Sequence, residues 1–211
     1  MTAATIDFWF TMGSTYTGLT VARYEAVVGE IPVRLRPFKN VGALTGTMSR
    51  PFLEGTAKMR YMFRDIERRA VARGLALRMP VSYPAPDPVR ANRVALIGAR
   101  EGWGASYMRA AYRLWFTEGI GNGGEENLRR SLTDAGQAGE IDRILKLADS
   151  SVVVSELDAA TEEARDIGIF GAPSFVVAGE IFWGDDHLED AVAWFHQAQR
   201  VGHQLSDTGR T

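Results

Sequence analysis

The order of apolar and polar positions predicts that the chain begins with a buried strand that turns into a helix. Residues 6–12 carry only two polar side chains, which is typical of a strand covered by helices on both faces. Gly13 predicts a turn, and apolar residues then recur at helical spacing from Thr15 to Gly29. A second strand follows at residues 33–37, so the first part of the chain predicts a βαβ unit with a right-handed crossover.

A loop and a long helical block are expected after this unit. Residues 38–50 are rich in glycine and threonine and show no periodicity, which favours a loop that can close over a site. Pro51 suits the first turn of a helix, which the pattern extends to Arg73. Residues 75–88 contain four prolines and form a connector that cannot be helical. Helical spacing resumes over residues 89–164, with breaks at two glycine-rich stretches.

One part of this block can be interpreted in two ways. The three valines at positions 152–154 favour a strand by their β-branched side chains. Apolar residues continue from there at helical spacing, at Leu157, Ala160 and Ala164, so we interpret the valines as the start of a helix.

The end of the chain returns to strands and closes with a helix. Residues 168–173 predict a turn, and two short strands at 174–177 and 181–183 predict a hairpin. A final helix opens after Gly184 with acidic residues in its first turn, where the helix dipole favours them. We expect the polar residues 202–211 to be frayed.

This order of elements predicts an α/β protein with a thioredoxin-like fold and an all-helical insertion between its βαβ and ββα halves. We expect residues 1–38 and 168–201 to form one discontinuous thioredoxin-like domain, and residues 39–167 to form the helical insertion.

The charge balance and the length of the apolar stretches argue against two classes of partner, nucleic acids and membranes. The 211 residues include 24 Lys and Arg against 26 Asp and Glu, and no basic block suggests a nucleic-acid surface. No apolar stretch approaches the roughly 18 residues of a membrane span, and the first residues lack the features of a signal peptide. We therefore expect a soluble cytoplasmic protein that binds neither nucleic acid nor membrane.

The chain has no cysteine, which excludes disulfides, thiolate nucleophiles, Cys-ligated zinc and a dithiol redox motif. Any thiol chemistry must use a thiol that a ligand brings. The three histidines do not form a convincing cluster, so no metal site is expected. Residues 121–124 are glycine-rich but lack the lysine and flanking strand of a phosphate loop.

Ser14 is the candidate for the centre of an active site. It follows the first strand at the predicted start of a helix, where its hydroxyl and free backbone N–H groups would face a docked anion. The alternative is that Ser14 only caps the helix, as serine commonly does at this position.

Motifs along the chain identify a family. They are Asp7-Phe8-Trp9-Phe10 with Ser14 and Tyr16, Tyr61-Met62-x-Arg64-Asp65-Ile66-Glu67-Arg68, Phe170-Gly171-Ala172-Pro173-Ser174-Phe175, and Phe182-Trp183-Gly184-Asp185-Asp186-His187-Leu188. Through them residues 6–200 resemble the 2-hydroxychromene-2-carboxylate isomerase family, a relative of the kappa-class glutathione transferases. The resemblance implies a thioredoxin-like domain with a helical insertion, a homodimer, and glutathione as the bound thiol.

The resemblance also implies roles for single residues. Ser14 matches the position that hydrogen-bonds the glutathione sulfur and stabilises it as a thiolate. The Ala172–Pro173 bond is implied to be cis, with the Ala172 backbone pairing with the cysteinyl part of glutathione. Asp185 and Asp186 match positions that hold the γ-glutamyl end, and we place Asp186 ahead of Asp185. Simple capping of the last helix is the alternative for both.

Other positions are implied contacts or neighbours of the ligand. Thr47 stands near the position of a family asparagine that contacts glutathione, and Trp183 lies beside the ligand turn. Tyr16 and His187 are further neighbours. The chain departs from the family pattern at Thr11, Met12 and Thr15, so we expect residues on the substrate side to differ.

The implied activity is glutathione-dependent isomerisation of 2-hydroxychromene-2-carboxylate or a related small aromatic ring-cleavage product. One alternative is a kappa-class-like transferase that joins glutathione irreversibly to an electrophile. A second alternative is a thioredoxin-like module that has lost its chemistry and binds a peptide or a protein.

Overall fold

The computed structural model describes residues 5–39, 42 and 54–208, and the strand β1, Ile6–Phe10, lies at its centre. On one side β1 pairs in parallel with β2, Val33–Pro37, and on the other it pairs antiparallel with β3, Ser174–Val177. The strand β4, Glu180–Trp183, pairs antiparallel with β3. The sheet order is therefore β2-β1-β3-β4, and both halves of the predicted fold contribute to one sheet.

Both faces of β1 are buried, as its apolar composition predicts. Phe8 and Phe10 point into the main core, where the Phe8 ring stacks on Phe175 at 5.2 Å. Trp9 points to the opposite face and packs with Phe38 and Ala164 in a second cluster. Since successive side chains of a strand point to opposite faces, this alternation accounts for an almost uninterrupted apolar sequence.

The helix predicted over residues 15–29 is in fact two short helices. They are α1, Thr15–Val21, and α2, Tyr24–Val28. The interruption lies at Arg23, whose backbone has φ −138° and ψ −15° and whose N–H donates to Thr20 O at 3.0 Å. This conformation accompanies the contacts of the Arg23 side chain with Asp185 and Glu189, which local periodicity could not reveal.

The described elements between β2 and β3 are all helical. They are α3, Ala57–Ala72; α4, Pro88–Glu101; α5, Gly104–Arg113, with a π-helical turn at Leu114–Glu118; α6, Glu125–Asp134; α7, Ile141–Ala148; and α8, Ser151–Ile167. The valines at 152–154 lie in α8, which confirms the helical interpretation. Ser150 caps α8 by accepting a hydrogen bond from Val153 N at 3.4 Å.

The start predicted for α3 at Pro51 is wrong. The helix begins at Ala57, and Thr56 caps it by accepting a hydrogen bond from Met59 N at 3.2 Å. Gly55, with φ 75°, is incompatible with a helix that continues from earlier residues. Pro51 itself, and most of the loop predicted over residues 38–50, lie outside the described residues.

The predicted hairpin and final helix are present. Ala178 and Gly179 both have positive φ angles, 50° and 87°, as a tight two-residue hairpin requires. A 3₁₀ turn, Asp185–His187, leads into α9, Leu188–Thr208. The helix thus continues into residues 202–208, and fraying of this end stays a prediction. Within the described ranges, none of the helices is long and apolar enough to cross a membrane.

Candidate active site

Ser14 lies at the start of α1 and uses its hydroxyl in two directions. Its Oγ accepts a hydrogen bond from Thr17 N at 3.2 Å and donates one to Ala172 O at 3.0 Å. Ser14 therefore caps α1, and the same side chain joins the helix start to a loop 158 residues further along the chain. Ser14 as a residue is partly exposed.

The turn before Ser14 is held by side chains from the helical insertion. Asn92, fully buried on α4, accepts from Met12 N at 2.6 Å and donates to Thr11 Oγ1 at 3.0 Å. Tyr112 on α5 directs its hydroxyl at Ser14 O, 2.9 Å away, and at Thr11 O, 3.2 Å away. Burial raises the pKa of Tyr112 well above its ordinary value, so the phenol stays protonated. Asn122 Nδ2 donates to Met12 O at 3.0 Å, which completes a rigid setting for the turn.

The loop that receives the Ser14 hydroxyl contains a cis peptide bond between Ala172 and Pro173, as the resemblance implies. Pro173 O accepts from Gly184 N at 2.9 Å, and this bond ties the loop to the turn that opens the last helix. Ser14, the Ala172–Pro173 bond and the Gly184 turn are thus connected by hydrogen bonds, although they are distant in sequence.

Trp183 covers the outer side of this loop. A side chain at Gly171 would place its Cβ 2.2 Å from Trp183 Nε1, so only glycine fits beneath the indole. Trp183 is 52% exposed and packs edge to face against Phe170, at 4.9 Å between ring centroids. The pair forms an exposed aromatic surface beside the predicted ligand turn.

Asp185 is the buried acid of the turn that opens the last helix, and its predicted contact with the ligand stays a prediction. Its carboxylate is completely buried and accepts from Thr20 Oγ1 and from Arg23 Nε, each at 3.3 Å. Arg73 also forms an ion pair with it. These partners already satisfy the carboxylate, so the geometry favours a structural role for Asp185.

Asp186 is the exposed acid of the same turn. Its side chain is 52% exposed, with Arg69 Nη1 3.3 Å away and His187 Nδ1 3.9 Å away from Oδ1. Partial burial opposes ionisation, but hydrogen bonds from its own backbone N–H and from Arg69 hold the pKa of Asp186 below its ordinary value. Asp186 is therefore a carboxylate at neutral pH, and a ligand can reach it.

Tyr16 connects α1 with α3. Its hydroxyl donates to Asp65 Oδ2 at 3.1 Å, and burial together with the negative charge of Asp65 raises the pKa of Tyr16. Asp65 also accepts from Arg69 Nε at 2.9 Å and from Arg68 Nη2 at 3.1 Å. A chain of hydrogen bonds and ion pairs thus runs from the neutral Tyr16, two residues after Ser14, through Asp65 and Arg69 to Asp186.

The structure does not describe Thr47, so its predicted contact with glutathione stays a prediction. Over the described residues, no group of three or more His, Cys, Asp and Glu side chains is placed to hold a metal ion.

Sequence reasoning missed the polar residues that support the site. Asn92 carried a usable signal, because it is a polar residue among the buried Ala91, Val94 and Ala95 of one helix face. Arg69 carried none, since basic residues occur on several faces of α3. Its importance comes only from the approach of α3 to the Asp185–His187 turn.

This fold and site define a class of thioredoxin-like protein. The sequence profile of the DSBA-like thioredoxin domain matches residues 5–193, so the chain belongs to that family. The match confirms the thioredoxin-like fold predicted from the order of elements.

Within this class the chain is similar to an isomerase. The curated 2-hydroxychromene-2-carboxylate isomerase of Sphingobium xenophagum is 28% identical over 192 residues, which cover 88% of this chain and 94% of the relative. A solved structure of 2-hydroxychromene-2-carboxylate isomerase superposes with a TM-score of 0.78 at 20% identity and covers 95% of this chain and 98% of that one. These matches confirm the resemblance found in the motifs.

A second similar structure comes from a disulfide reductase. The cytosolic disulfide reductase DsbM of Pseudomonas aeruginosa, solved with GSH, superposes with a TM-score of 0.64 at 16% identity. The match covers 93% of this chain and 99% of that one. At this identity the similarity concerns the fold alone.

Proposed function

We propose that the protein is a glutathione-dependent isomerase of 2-hydroxychromene-2-carboxylate or a related aromatic ring-cleavage product. The observation that carries the proposal is the 3.0 Å hydrogen bond from Ser14 Oγ to Ala172 O in a chain without cysteine. Thiol chemistry at this place needs a thiol that arrives with a ligand. The name of the similar isomerase and the GSH in the DsbM structure support this proposal.

Binding begins with an exchange of hydrogen bonds at Ala172. The cysteinyl N–H of glutathione donates to Ala172 O in place of the Ser14 hydroxyl. The released hydroxyl then turns to the sulfur and donates to it, while Oγ continues to accept from Thr17 N. The bond that Ser14 gives up is thereby replaced, so no buried polar group loses its partner.

The sulfur is stabilised as a thiolate by this donor and by the positive end of α1. Each unit by which the thiol pKa falls corresponds to about 1.4 kcal/mol of preference for the anion. Ser14 itself does not attack the substrate. It keeps the nucleophile of the ligand ionised and in a fixed position.

Isomerisation follows from reversible addition of this thiolate to the conjugated double bond of the opened substrate. The thiolate forms a C–S bond at one carbon of the double bond. The π electron pair of that double bond moves into the conjugated carbonyl system and forms an enolate, so the former double bond becomes a single bond. Rotation about the single bond and return of the electron pair then expel the thiolate and re-form the double bond in the other geometry. Glutathione is regenerated, and no oxidant is consumed.

The other end of glutathione is placed on the Asp186 turn in this proposal. Asp186 is the exposed carboxylate there, whereas Asp185 holds the turn from inside. Trp183 covers the loop on which the cysteinyl part lies, and Tyr16 and His187 border the site. Thr47 is retained as a proposed contact.

Ser14→Ala tests the role of the hydroxyl, and Ser150→Ala is its matched control. Ser150 also caps a helix and also donates to a carbonyl, Leu147 O, at 2.6 Å, but it belongs to α8. We expect both variants to lose about 1 kcal/mol of stability as lost caps. Only Ser14→Ala should lower kcat/KM for glutathione-dependent turnover, by about 10²-fold to 10³-fold. Full turnover by Ser14→Ala would overturn the proposal.

Product analysis separates the isomerase from the two alternatives. The isomerase converts an excess of substrate with catalytic amounts of glutathione, which remains free at the end. A kappa-class-like transferase consumes one glutathione for each product molecule. A non-catalytic module shows no thermal shift with glutathione and no turnover with hydroxychromene-type substrates.

The proposal extends to the organisation of the molecule. We propose a cytoplasmic homodimer in which residues 1–38 and 168–201 form the glutathione-binding domain and residues 39–167 form the insertion that supports it. The supporting role of the insertion is based on three of its side chains, which form hydrogen bonds with the turn at Ser14. They are Asn92, Tyr112 and Asn122.

A further inference from the structure

Tyr112 is a buried side chain of the insertion that holds the main chain of Ser14. Its hydroxyl lies 2.9 Å from Ser14 O and 3.2 Å from Thr11 O, so one phenol bridges both ends of the turn that opens α1. We propose that Tyr112 is a positioning residue for the isomerisation, which keeps the Ser14 hydroxyl directed at the ligand sulfur. The inference rests on the proposed function and adds to it a residue that acts through Ser14.

The need for such a support follows from the exchange of hydrogen bonds at Ala172. In the free protein the Ser14 side chain is fixed by its bond to Ala172 O, 3.0 Å away. A ligand that donates to Ala172 O releases this bond, while Ser14 Oγ keeps the bond that it accepts from Thr17 N. In the bound state the direction of the hydroxyl therefore depends more strongly on the backbone of Ser14.

Tyr112 controls that backbone through the carbonyl group of Ser14. Ser14 has the extended conformation of a helix cap, with φ −89° and ψ 121°. Rotation about ψ moves the carbonyl oxygen relative to the side chain, so a fixed carbonyl oxygen also fixes the direction of Cβ. The same phenol reaches Thr11 O, which accepts from Ser14 N at 3.0 Å. Both sides of Ser14 are thus held by one hydroxyl.

The phenol is itself held by aromatic packing. The Tyr112 ring stacks on Trp115, with 5.8 Å between centroids and 25° between planes, and it meets Phe116 edge to face at 5.7 Å. Trp115 and Phe116 belong to the π-helical turn Leu114–Glu118, a kind of turn that is frequent at functional sites. Trp115 is anchored as well, because its Nε1 donates to Ser82 O at 2.7 Å. This packing leaves the Tyr112 hydroxyl little freedom to move.

Gly18 allows α1 to lie directly on these rings. A Cβ atom at this position would be 2.4 Å from Phe116 Cζ and 2.7 Å from Tyr112 Cδ1, which is too short for van der Waals contact. Glycine within a helix costs stability relative to alanine, and this close approach accounts for it here. Gly18 N also donates to Ser14 O at 3.3 Å, so the Ser14 carbonyl receives one donor from α1 and one from α5.

Tyr112→Phe removes the hydroxyl and keeps the ring. We expect kcat for glutathione-dependent turnover to fall about 10-fold, because the Ser14 hydroxyl is less well directed. The KM for glutathione should change less than about 2-fold, since the proposed contacts at Ala172 and Asp186 remain. In an ultraviolet titration of the saturated complex, the pKa of the bound thiol should rise by about half a unit or more towards that of free glutathione.

Tyr107→Phe is the matched control. Tyr107 lies on the same helix, is also buried and also donates to a main-chain carbonyl, Ala91 O at 3.3 Å, but this bond stays within the insertion. We expect both variants to lower the midpoint of urea unfolding. Tyr107→Phe should keep the kcat and the bound-thiol pKa of the unchanged protein. If both variants lower kcat equally, Tyr112 has a structural role alone and the inference is overturned.

Gly18→Ala tests the packing from the side of α1, with Gly139→Ala as its control. A methyl group at Gly18 must displace the ring of Tyr112 or Phe116, whereas one at Gly139 meets no atom of the described residues within 4 Å. We expect Gly18→Ala to lower kcat about 10-fold and to raise the bound-thiol pKa, and Gly139→Ala to change neither. A folded Gly18→Ala variant with unchanged kcat would contradict the role of this packing.

The outcomes separate this inference from the proposed function. If Ser14→Ala lowers turnover but Tyr112→Phe leaves kcat and the bound-thiol pKa unchanged, the positioning role is disproved and the isomerase proposal stands. If the unchanged protein shows no glutathione-dependent turnover, the proposed function fails and the inference fails with it.

Discussion

At the scale of single residues, Ser14 shows that capping and chemistry use different parts of one hydroxyl. Its oxygen accepts from Thr17 N, and its hydrogen is donated to Ala172 O. A thiol ligand that takes over the Ala172 carbonyl frees only the hydrogen, so α1 stays capped while the sulfur gains a donor. The two interpretations of Ser14 that the sequence leaves open are therefore compatible.

Asp185 and Asp186 are adjacent in sequence but differ in environment. Asp185 is buried among Thr20, Arg23 and Arg73, whereas Asp186 is exposed with Arg69 as its partner. The sequence predicts the acidic helix start, but burial of the first acid depends on Arg23, between α1 and α2, and on Arg73, which follows α3. The contacts of those arginines with Asp185 join residues that are far apart in the chain, so local sequence patterns do not predict them.

Substitution of these two acids should separate stability from binding. We expect Asp185→Asn to lower the free energy of unfolding by about 3 kcal/mol, because it leaves the guanidinium groups of Arg23, Arg69 and Arg73 with a neutral partner. Asp186→Asn should cost less than about 1 kcal/mol, since its ion pair is exposed. Urea unfolding measures both values. Equal losses of stability would contradict the different roles assigned to the two acids.

The affinity for glutathione should depend more on Asp186 than on Asp185, which is the reverse of the order for stability. We expect Asp186→Asn to weaken glutathione in titration calorimetry while folded Asp185→Asn keeps measurable affinity. An Asp186→Asn variant with unchanged affinity would remove Asp186 from the proposed ligand contacts.

At the scale of elements, the helical insertion positions the turn that carries Ser14. Asn92 on α4 bonds Met12 N, Phe38 O and Thr11 Oγ1, and Tyr112 on α5 reaches Ser14 O. The site is thus built where the insertion meets β1 and α1. We infer that the insertion sets the precision of the site as well as adding to the core.

Asn92→Ala tests this contribution, with Asn127→Ala as its control. Asn127 is equally buried and donates to Ile120 O at 2.7 Å and to Ala111 O at 3.1 Å, within the insertion. We expect each variant to lose about 2–3 kcal/mol of stability, because buried groups lose their partners. Only Asn92→Ala should also lower kcat/KM, by about 10-fold or more, as the Ser14 turn loosens. Equal kcat/KM for the two variants would contradict a positioning role for Asn92.

Elements defined by local chemistry could be predicted from the sequence. The buried β1, the Ser14 cap, the hairpin at residues 178–179 and the helix through residues 152–154 follow from periodicity and turn residues. The start of α3 and the break between α1 and α2 could not, because an isolated proline signal does not reveal the Thr56 cap. The break involves Arg23 contacts that are more than 160 positions distant in the chain.

At the scale of the whole molecule, the site joins segments from both ends and from the insertion. Ser14 comes from the first helix, Arg69 and Asn92 from the insertion, and Ala172 and Asp186 from the last third of the chain. The sequence placed Ser14, Ala172 and Asp186 in one site only through a family resemblance. The arginine network and the buried asparagines arise from tertiary packing, for which a single sequence carries almost no signal.

The predicted homodimer is tested by mass in solution. We expect light scattering coupled to size-exclusion chromatography to give twice the mass of one chain at micromolar concentration. A mass of one chain across the whole concentration range would contradict the homodimer.

The central claim is that Ser14 stabilises the thiolate of bound glutathione, and the ionisation of that thiol measures it directly. A free thiol has a pKa of about 8.5, and a hydroxyl donor at a helix start lowers it because both interactions favour the anion. Ultraviolet absorbance of the thiolate, followed against pH in the saturated complex, should show a bound thiol at least about one unit more acidic than free glutathione. In Ser14→Ala the titration should move back towards the value of the free thiol, and in Ser150→Ala it should not move. A bound thiol that titrates at the same pH with and without the Ser14 hydroxyl would contradict the account.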